Sequence, residues 1–266
     1  MKAPYSDMFS QFYQPIMNIG DGSISHYEVL LRPKDGSSLS NISILQYISS
    51  IEKTGEIEML DRWNVQEMAR KMESPFHAYG YPCSINLSPQ TIQNPTFCEY
   101  LDEVMSTMKN PRRLHFEITE TSEIIDFNKV NEFIKIAKKY GSEVAMDDFG
   151  SGFSSLDALK KLDVDIIKID QMYVKDCLKN EEHRSFISET VIYAKNNKKK
   201  VVAEYVENPA IEKLLQKMGV ECGQGYYYGK AEQRPESHSQ IMSNIHSRDD
   251  NLKIESKFKI ESGLIK

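Results

Sequence analysis

The segment Glu143-Val144-Ala145-Met146-Asp147-Asp148-Phe149-Gly150-Ser151-Gly152 reads as a short β-rich run that ends in two acids and a glycine-rich turn. The same rhythm recurs from about Tyr81 onward: a strand, a polar or acidic residue, a turn, a helix. Strand-like runs lie at 82–87, 114–118, 143–146, 165–169, 200–204 and 225–228. Between them, 124–139 carries Val130, Phe133, Ile134 and Ile136 at helical spacing, and 185–196 and 210–218 have a similar pattern. Strands that alternate with helices imply parallel βαβ units.

The start of the chain differs. Runs 12–17 and 24–31 flank Asn18-Ile19-Gly20-Asp21-Gly22-Ser23, where Asp21-Gly22 signals a hairpin, so these two strands are antiparallel. Helical segments follow near 42–52, ended by Thr54-Gly55, and near 59–72. Eight strand candidates with intervening helices predict an α/β chain folded as a (β/α)8 TIM-like barrel with an irregular antiparallel first strand. A doubly wound open sheet is the alternative. The barrel is expected to occupy 1–246. Residues 247–266 are charged, show no helical periodicity and are expected to form a loosely ordered extension.

Composition narrows the function classes. A hydrophobic content of 40% over 266 residues suffices for a large core. No apolar run approaches the roughly 20 residues that cross a bilayer. The first ten residues lack a basic start followed by an apolar stretch, so a cytoplasmic location is expected. Cys83, Cys98, Cys177 and Cys222 are too far apart for a CxxC pair and are read as reduced thiols. The net charge of −6 argues against long nucleic acid as a partner. A small phosphodiester stays open, because metal ions set among carboxylates reverse the local sign.

In a barrel of this kind the site lies where the strands end. Five strand candidates bring an oxygen ligand there: Glu28, Asn86, Glu117, Asp147 with Asp148, and Glu204. A single acid at a strand end is ordinarily a helix cap or a solvated residue. Five together are harder to explain that way, and like charges this close force some to protonate unless a cation intervenes. Mg²⁺ and Mn²⁺ suit carboxylate and amide oxygens. Neighbours on a regular strand point to opposite faces, so Asp147 and Asp148 reach one site only if the chain turns there. The glycines that follow supply such a turn, and one aspartate then serves two metal ions while the other serves one. These residues alone imply a metal-binding barrel and do not choose a substrate.

At these positions the chain closely resembles the EAL-domain family of cyclic di-GMP phosphodiesterases. The likeness runs from about Phe12 to Lys230 and rests on seven segments in the family's order. They are Tyr27-Glu28-Val29-Leu30-Leu31-Arg32, Ser84-Ile85-Asn86-Leu87-Ser88, Phe116-Glu117-Ile118-Thr119-Glu120 and Met146 through Leu156, then Ile167-Lys168-Ile169-Asp170, Val202-Ala203-Glu204-Tyr205-Val206-Glu207 and Gly223-Gln224-Gly225-Tyr226. The resemblance implies hydrolysis of cyclic di-GMP to linear pGpG with two Mg²⁺ or Mn²⁺ ions, Ca²⁺ being inhibitory. It implies that Glu28, Asn86, Glu117 and Asp147 hold one metal. Asp147, Asp148 and Glu204 would hold the second, with Asp148 also close to substrate. Lys168 would polarise the attacking water, Gln224 would bond a metal-bound water, and Glu120 and Glu207 would support the site. Gln14, Leu30 and Arg32 match dinucleotide contacts, Arg32 through phosphate. A homodimer through the segment after Asp148 is also implied.

Two departures stand out. Val29 replaces the signature alanine, on the strand face away from Glu28. Tyr205 stands where the family usually has glycine, beside a proposed ligand, where misplacement near 1 Å costs about 100-fold in rate. The proline usual after the last strand is also missing around Lys230-Ala231. The competing function is a catalytically impaired module that binds cyclic di-GMP or a protein partner.

Overall fold

Eight strands close into a barrel in the order of the sequence. The computed structural model describes residues 5–39, 42–75, 77–119, 126–151 and 156–261. The strands are β1 (Phe9–Asn18), β2 (Ile24–Pro33), β3 (Cys83–Leu87), β4 (Leu114–Thr119), β5 (Val144–Phe149), β6 (Ile166–Ile169), β7 (Lys200–Ala203) and β8 (Cys222–Gln224). All pairs from β2 to β8 are parallel, whereas β1 runs antiparallel to both β2 and β8. The β1–β8 pairing closes the barrel and rules out the open sheet. An irregularity between Ile16 and Met17 interrupts the β1–β2 register.

Strand alternation divides the side chains into two sets. Residues such as Ile85, Phe116, Ile118, Ile167 and Ile169 point outward and are buried under the surrounding helices. The helix Phe127–Lys139 is representative. Asp126 caps it by accepting from Asn128 N at 2.9 Å, and it turns Val130, Phe133, Ile134 and Ala137 to the core. Phe133 meets Phe116 edge-on at 5.6 Å between ring centres. Phe116→Ala at this contact is worth about 3–5 kcal/mol.

The inward set forms layers. A middle layer of Ile16, Ala145, Ile166, Val202 and Cys222 plugs the barrel. Two residues further along the parallel strands stand Asp147, Lys168, Glu204 and Gln224, so strand period alone stacks a polar layer over an apolar one. On β2 and β4 the positions two residues before Glu28 and Glu117 are instead the buried His26 and His115, with ring centres 5.8 Å apart and His26 paired with Ile16.

One expectation changes. The eighth strand is Cys222–Gln224, not 225–228, and the three tyrosines that follow form a turn. A Cβ on Gly225 would overlap the backbone of Val206, which pairs with both sides of this turn: Val206 N donates to Gln224 O at 2.9 Å and Tyr227 N to Val206 O at 3.0 Å. That crossing overrides the β propensity of Tyr226–Tyr228. The boundary read at Ser247 falls inside one helix, His238–Glu261. Ile241 and Ile245 are buried, Arg248 Nη1 donates to Tyr227 O at 2.6 Å, and Tyr227 Oη donates to Asp249 at 3.1 Å.

Candidate active site

Lys168 is the centre of the polar layer, with 1% of its surface exposed. Its Nζ lies 2.6 Å from Glu117 Oε2, 2.7 Å from Asp147 Oδ1, 2.9 Å from Glu204 Oε1 and 3.4 Å from Glu28 Oε2. Four carboxylates, from β2, β4, β5 and the residue after β7, thus surround one ammonium. Ionised together, they leave a local excess of negative charge that burial makes costly.

The side chains are held from several directions. Asn86 Nδ2 donates to Glu28 Oε1 at 2.8 Å and Gln224 Nε2 to Glu28 Oε2 at 2.6 Å. Ser84 Oγ donates to Glu117 Oε1 through a short bond. Asp148 reaches the site through backbone geometry. Its φ is +54°, and the β5–β6 register shifts between Met146 and Phe149. This bulge, rather than the glycines that follow, turns both aspartates inward, and the left-handed conformation costs roughly 1–2 kcal/mol.

The charges respond to this arrangement. Burial, then the Glu28 charge, pushes the Glu117 carboxyl up to about 8. Glu204 is raised well above the usual range, by burial and then by Asp147 and Glu28, which outweigh Lys168. Burial and Asp147 push Asp148 up to about 6. Burial also acts to raise Glu28, but Lys168 and the hydrogen bonds from Gln224 and Asn86 prevail and hold it below the usual value. Burial acts to lower the Lys168 ammonium, and the four carboxylates hold it well above the usual lysine range.

Two sets of carboxylates offer oxygens within 4.8 Å of one another: Glu28, Glu117 and Asp147, and Asp147, Asp148 and Glu204. Asp147 belongs to both. Asp147 Oδ1 and Gln224 Oε1 are buried without a hydrogen-bond partner, the former having only its ion pair with Lys168. An all-oxygen donor set with orphaned acceptors fits hard divalent cations.

The other anticipated residues border this cluster. Gln14, Glu28, Glu204, Tyr205, Glu207, Gln224 and Tyr226 share a cavity of about 350 Å³. Gln14 Nε2 donates to Gly229 O at 3.2 Å, and Glu207 Oε1 accepts from Tyr226 N at 3.2 Å. Leu30 and Arg32 line a separate, apolar cavity of about 230 Å³ that includes Asn86. Arg32 makes no ion pair among the described residues; its Nη1 donates to Leu31 O at 3.0 Å. Glu120 lies outside the described residues. Tyr205 leaves Glu204 in the cluster, 2.9 Å from Lys168.

Two supports carried no assigned role in the sequence reading. Ser84 sits two residues before Asn86 on the same strand face, a period-2 signal that pointed to it. Asp61 Oδ2 accepts from Ser88 N at 3.1 Å and so anchors the turn after Asn86. Burial pushes this carboxyl up to about 7. Its one sequence signal is an acid among the buried positions Leu60, Asn64, Val65 and Met68 of the helix Ile57–Met72.

A TIM-like barrel with a lysine-centred carboxylate cluster at its strand ends defines the class, a candidate metal-dependent barrel. The family model for the EAL domain matches residues 2–231, and the chain belongs to that family. A cyclic di-GMP phosphodiesterase, PdeA, of Borreliella burgdorferi is 30% identical over 87% of this chain and 35% of its own length. A probable cyclic di-GMP phosphodiesterase, PdeB, of Escherichia coli is 34% identical over 82% of this chain and 42% of its own. The chain therefore spans well under half the length of these relatives. Among solved structures, the PaMucR phosphodiesterase in complex with c-di-GMP aligns at a TM-score of 0.76 and 25% identity, over 87% of this chain and 94% of that one. An EAL domain protein from Listeria monocytogenes aligns at 0.73 and 25%, over 87% and 91%. Among the described residues, no helix is long and apolar enough to cross a membrane.

Proposed function

We propose that this chain hydrolyses one phosphodiester of cyclic di-GMP to give linear pGpG, using two Mg²⁺ or Mn²⁺ ions. The observation that carries the reading is the cluster of four carboxylates packed around Lys168, with Asp147 shared between two potential ligand sets. Family membership and the names of the relatives support the substrate.

Glu28, Asn86, Glu117 and Asp147 would hold one ion; Asp147, Asp148 and Glu204 would hold the other. Bound there, the ions supply Lewis acidity and neutralise phosphate charge. The chain's own groups do the rest. Lys168 orients the attacking water and offsets negative charge from a position no solvent competes for. Gln224 fixes Glu28 through Nε2 and keeps Oε1 free as an acceptor for a water. Ser84 fixes Glu117. The two cavities flank the cluster, so a dinucleotide can place one base in each, with Gln14 on one side and Leu30 and Arg32 on the other. Glu207 supports the loop around Tyr226, and Glu120 is proposed as a support after β4.

Ca²⁺, with its longer and looser coordination, should bind and support turnover poorly. A cytoplasmic location, a barrel domain over 1–246 with 247–266 as an appended segment, and a homodimer through 149–156 belong to the same proposal. Residues 152–155 of that segment lie outside the described residues.

The test is direct. Purified protein is incubated with cyclic di-GMP and Mg²⁺ or Mn²⁺, and the nucleotides are separated. Metal-dependent appearance of pGpG is expected. Tight binding with no linear product overturns hydrolysis and favours a binding module.

A further inference from the structure

Tyr205 is costly to keep. Its φ is +60°, a left-handed backbone that L side chains rarely adopt and that glycine adopts freely. The ring and hydroxyl make no hydrogen bond, ion pair or ring contact with a described residue, and the side chain is 36% exposed. Strain of this kind clusters at functional sites, and Asp148 beside the cluster shares it at φ +54°.

Its surroundings indicate the use. Tyr205 follows Glu204 directly and lines the roughly 350 Å³ cavity that opens onto Glu28 and Gln224. Tyr226, 52% exposed, lines the same cavity, with Lys230 Nζ 4.8 Å from its ring centre. Gln14, Gln171 and Glu207 supply polar edges around the two rings. A cavity of this size suits one nucleoside, and two exposed aromatic rings beside hydrogen-bonding side chains suit a flat heterocycle.

We propose that Tyr205, with Tyr226, forms an aromatic subsite that stacks on one purine base of the dinucleotide beside the metal cluster. This rests on the cyclic di-GMP reading above and adds an affinity-determining contact peculiar to a tyrosine at this position.

The test uses the full chain with Tyr205→Gly, Tyr205→Phe and Tyr226→Ala. Stacking on an aromatic ring makes about a 5- to 150-fold difference per base. Tyr205→Gly should therefore raise KM for cyclic di-GMP by about that factor, with kcat within about threefold and a melting temperature unchanged or higher. Tyr205→Phe should restore the wild-type KM, and Tyr226→Ala should raise KM in the same direction. An unchanged KM in Tyr205→Gly, in a wild type that turns over, overturns the subsite alone. A Tyr205→Gly defect confined to kcat, which marks a displaced Glu204, overturns it too. A wild type that neither binds nor cleaves the dinucleotide overturns the parent reading.

Discussion

The two ends of the barrel interior bury charge-bearing groups in opposite ways. Toward the strand starts, beside the apolar plug, burial pushes His26 well below the ordinary histidine range, so the imidazole discards its charge. His115 is lowered as well, first by burial, although Glu143 acts against it. Above the plug, four carboxylates keep company with a single lysine, and burial raises Glu117 and Glu204 while Lys168 and two hydrogen bonds hold Glu28 ionised. The lower end is neutral by proton loss and needs nothing further. The upper end stays frustrated, which is what a site that awaits cations requires. The same strand alternation builds both, so the difference lies in residue choice at equivalent inward positions: His26 and Glu28 on β2, His115 and Glu117 on β4.

The comparison breaks most visibly if the upper layer can lose a carboxylate without consequence. Asp147→Asn should cut metal-dependent hydrolysis by more than about 100-fold, exceeding what removal of a supporting residue costs. The metal-free variant should stay folded, because Glu28, Glu117 and Glu204 still surround Lys168. Retention of a tenth of the activity would sink the assignment of Asp147 to both ligand sets. Ser84→Ala should cost about 10- to 100-fold in metal affinity, since Glu117 loses the donor that orients it. Isothermal titration with Mn²⁺ measures this, and an unchanged affinity would show that Glu117 is positioned by Lys168 alone.

Protons and cations compete for the upper layer, which gives a sign. With Glu117 near 8 and Asp148 near 6, the metal-free cluster holds protons at neutral pH. Metal affinity should fall by up to about tenfold per pH unit, for each proton displaced, as pH drops from 8 to 6. Titration in two buffers of different ionisation heat reads the proton release. For the metal-free fold the linkage runs oppositely: a carboxyl raised in the native state loses stability as pH rises from the ordinary carboxylate range to about 8.

Much of this was legible in the residues. The hairpin at Asp21-Gly22 and the strand–helix alternation carried the barrel, including its antiparallel first strand. The ligands borne by β3, β4 and β5 and by the residue after β7 were visible as acids or amides closing apolar runs, whereas Glu28, read as a strand end, stands in the middle of β2. Other features lay beyond local pattern. Cys222-Gly223-Gln224 has little β propensity and is a strand only because β1 and β7 pair with it, whereas three tyrosines with high propensity turn away under the Val206 crossing. The bulge at Asp148 depends on register against β6, a long-range property. The helix His238–Glu261 shows no apolar periodicity over its full length, so the docking of Ile241, Ile245, Arg248 and Asp249 in its first half gave no helical signal.

The smallest expected effect concerns the lower layer. The unfolded chain binds a proton on each histidine as pH falls through about 6.5, while native His26 stays neutral to a much lower pH. Stability is then lost as pH falls below about 6.5, by at most about 1.4 kcal/mol per unit for one such histidine. Urea unfolding of the metal-free protein at several values between pH 7.5 and 5 measures the slope, and His26→Gln should flatten it. Other titrating groups contribute to both proteins, so the difference between them isolates His26. Equal slopes would mean that native His26 takes up its proton as readily as the unfolded chain does. The lower end would then carry charge like the upper one, and the contrast between a layer that sheds charge and a layer that waits for cations would fail.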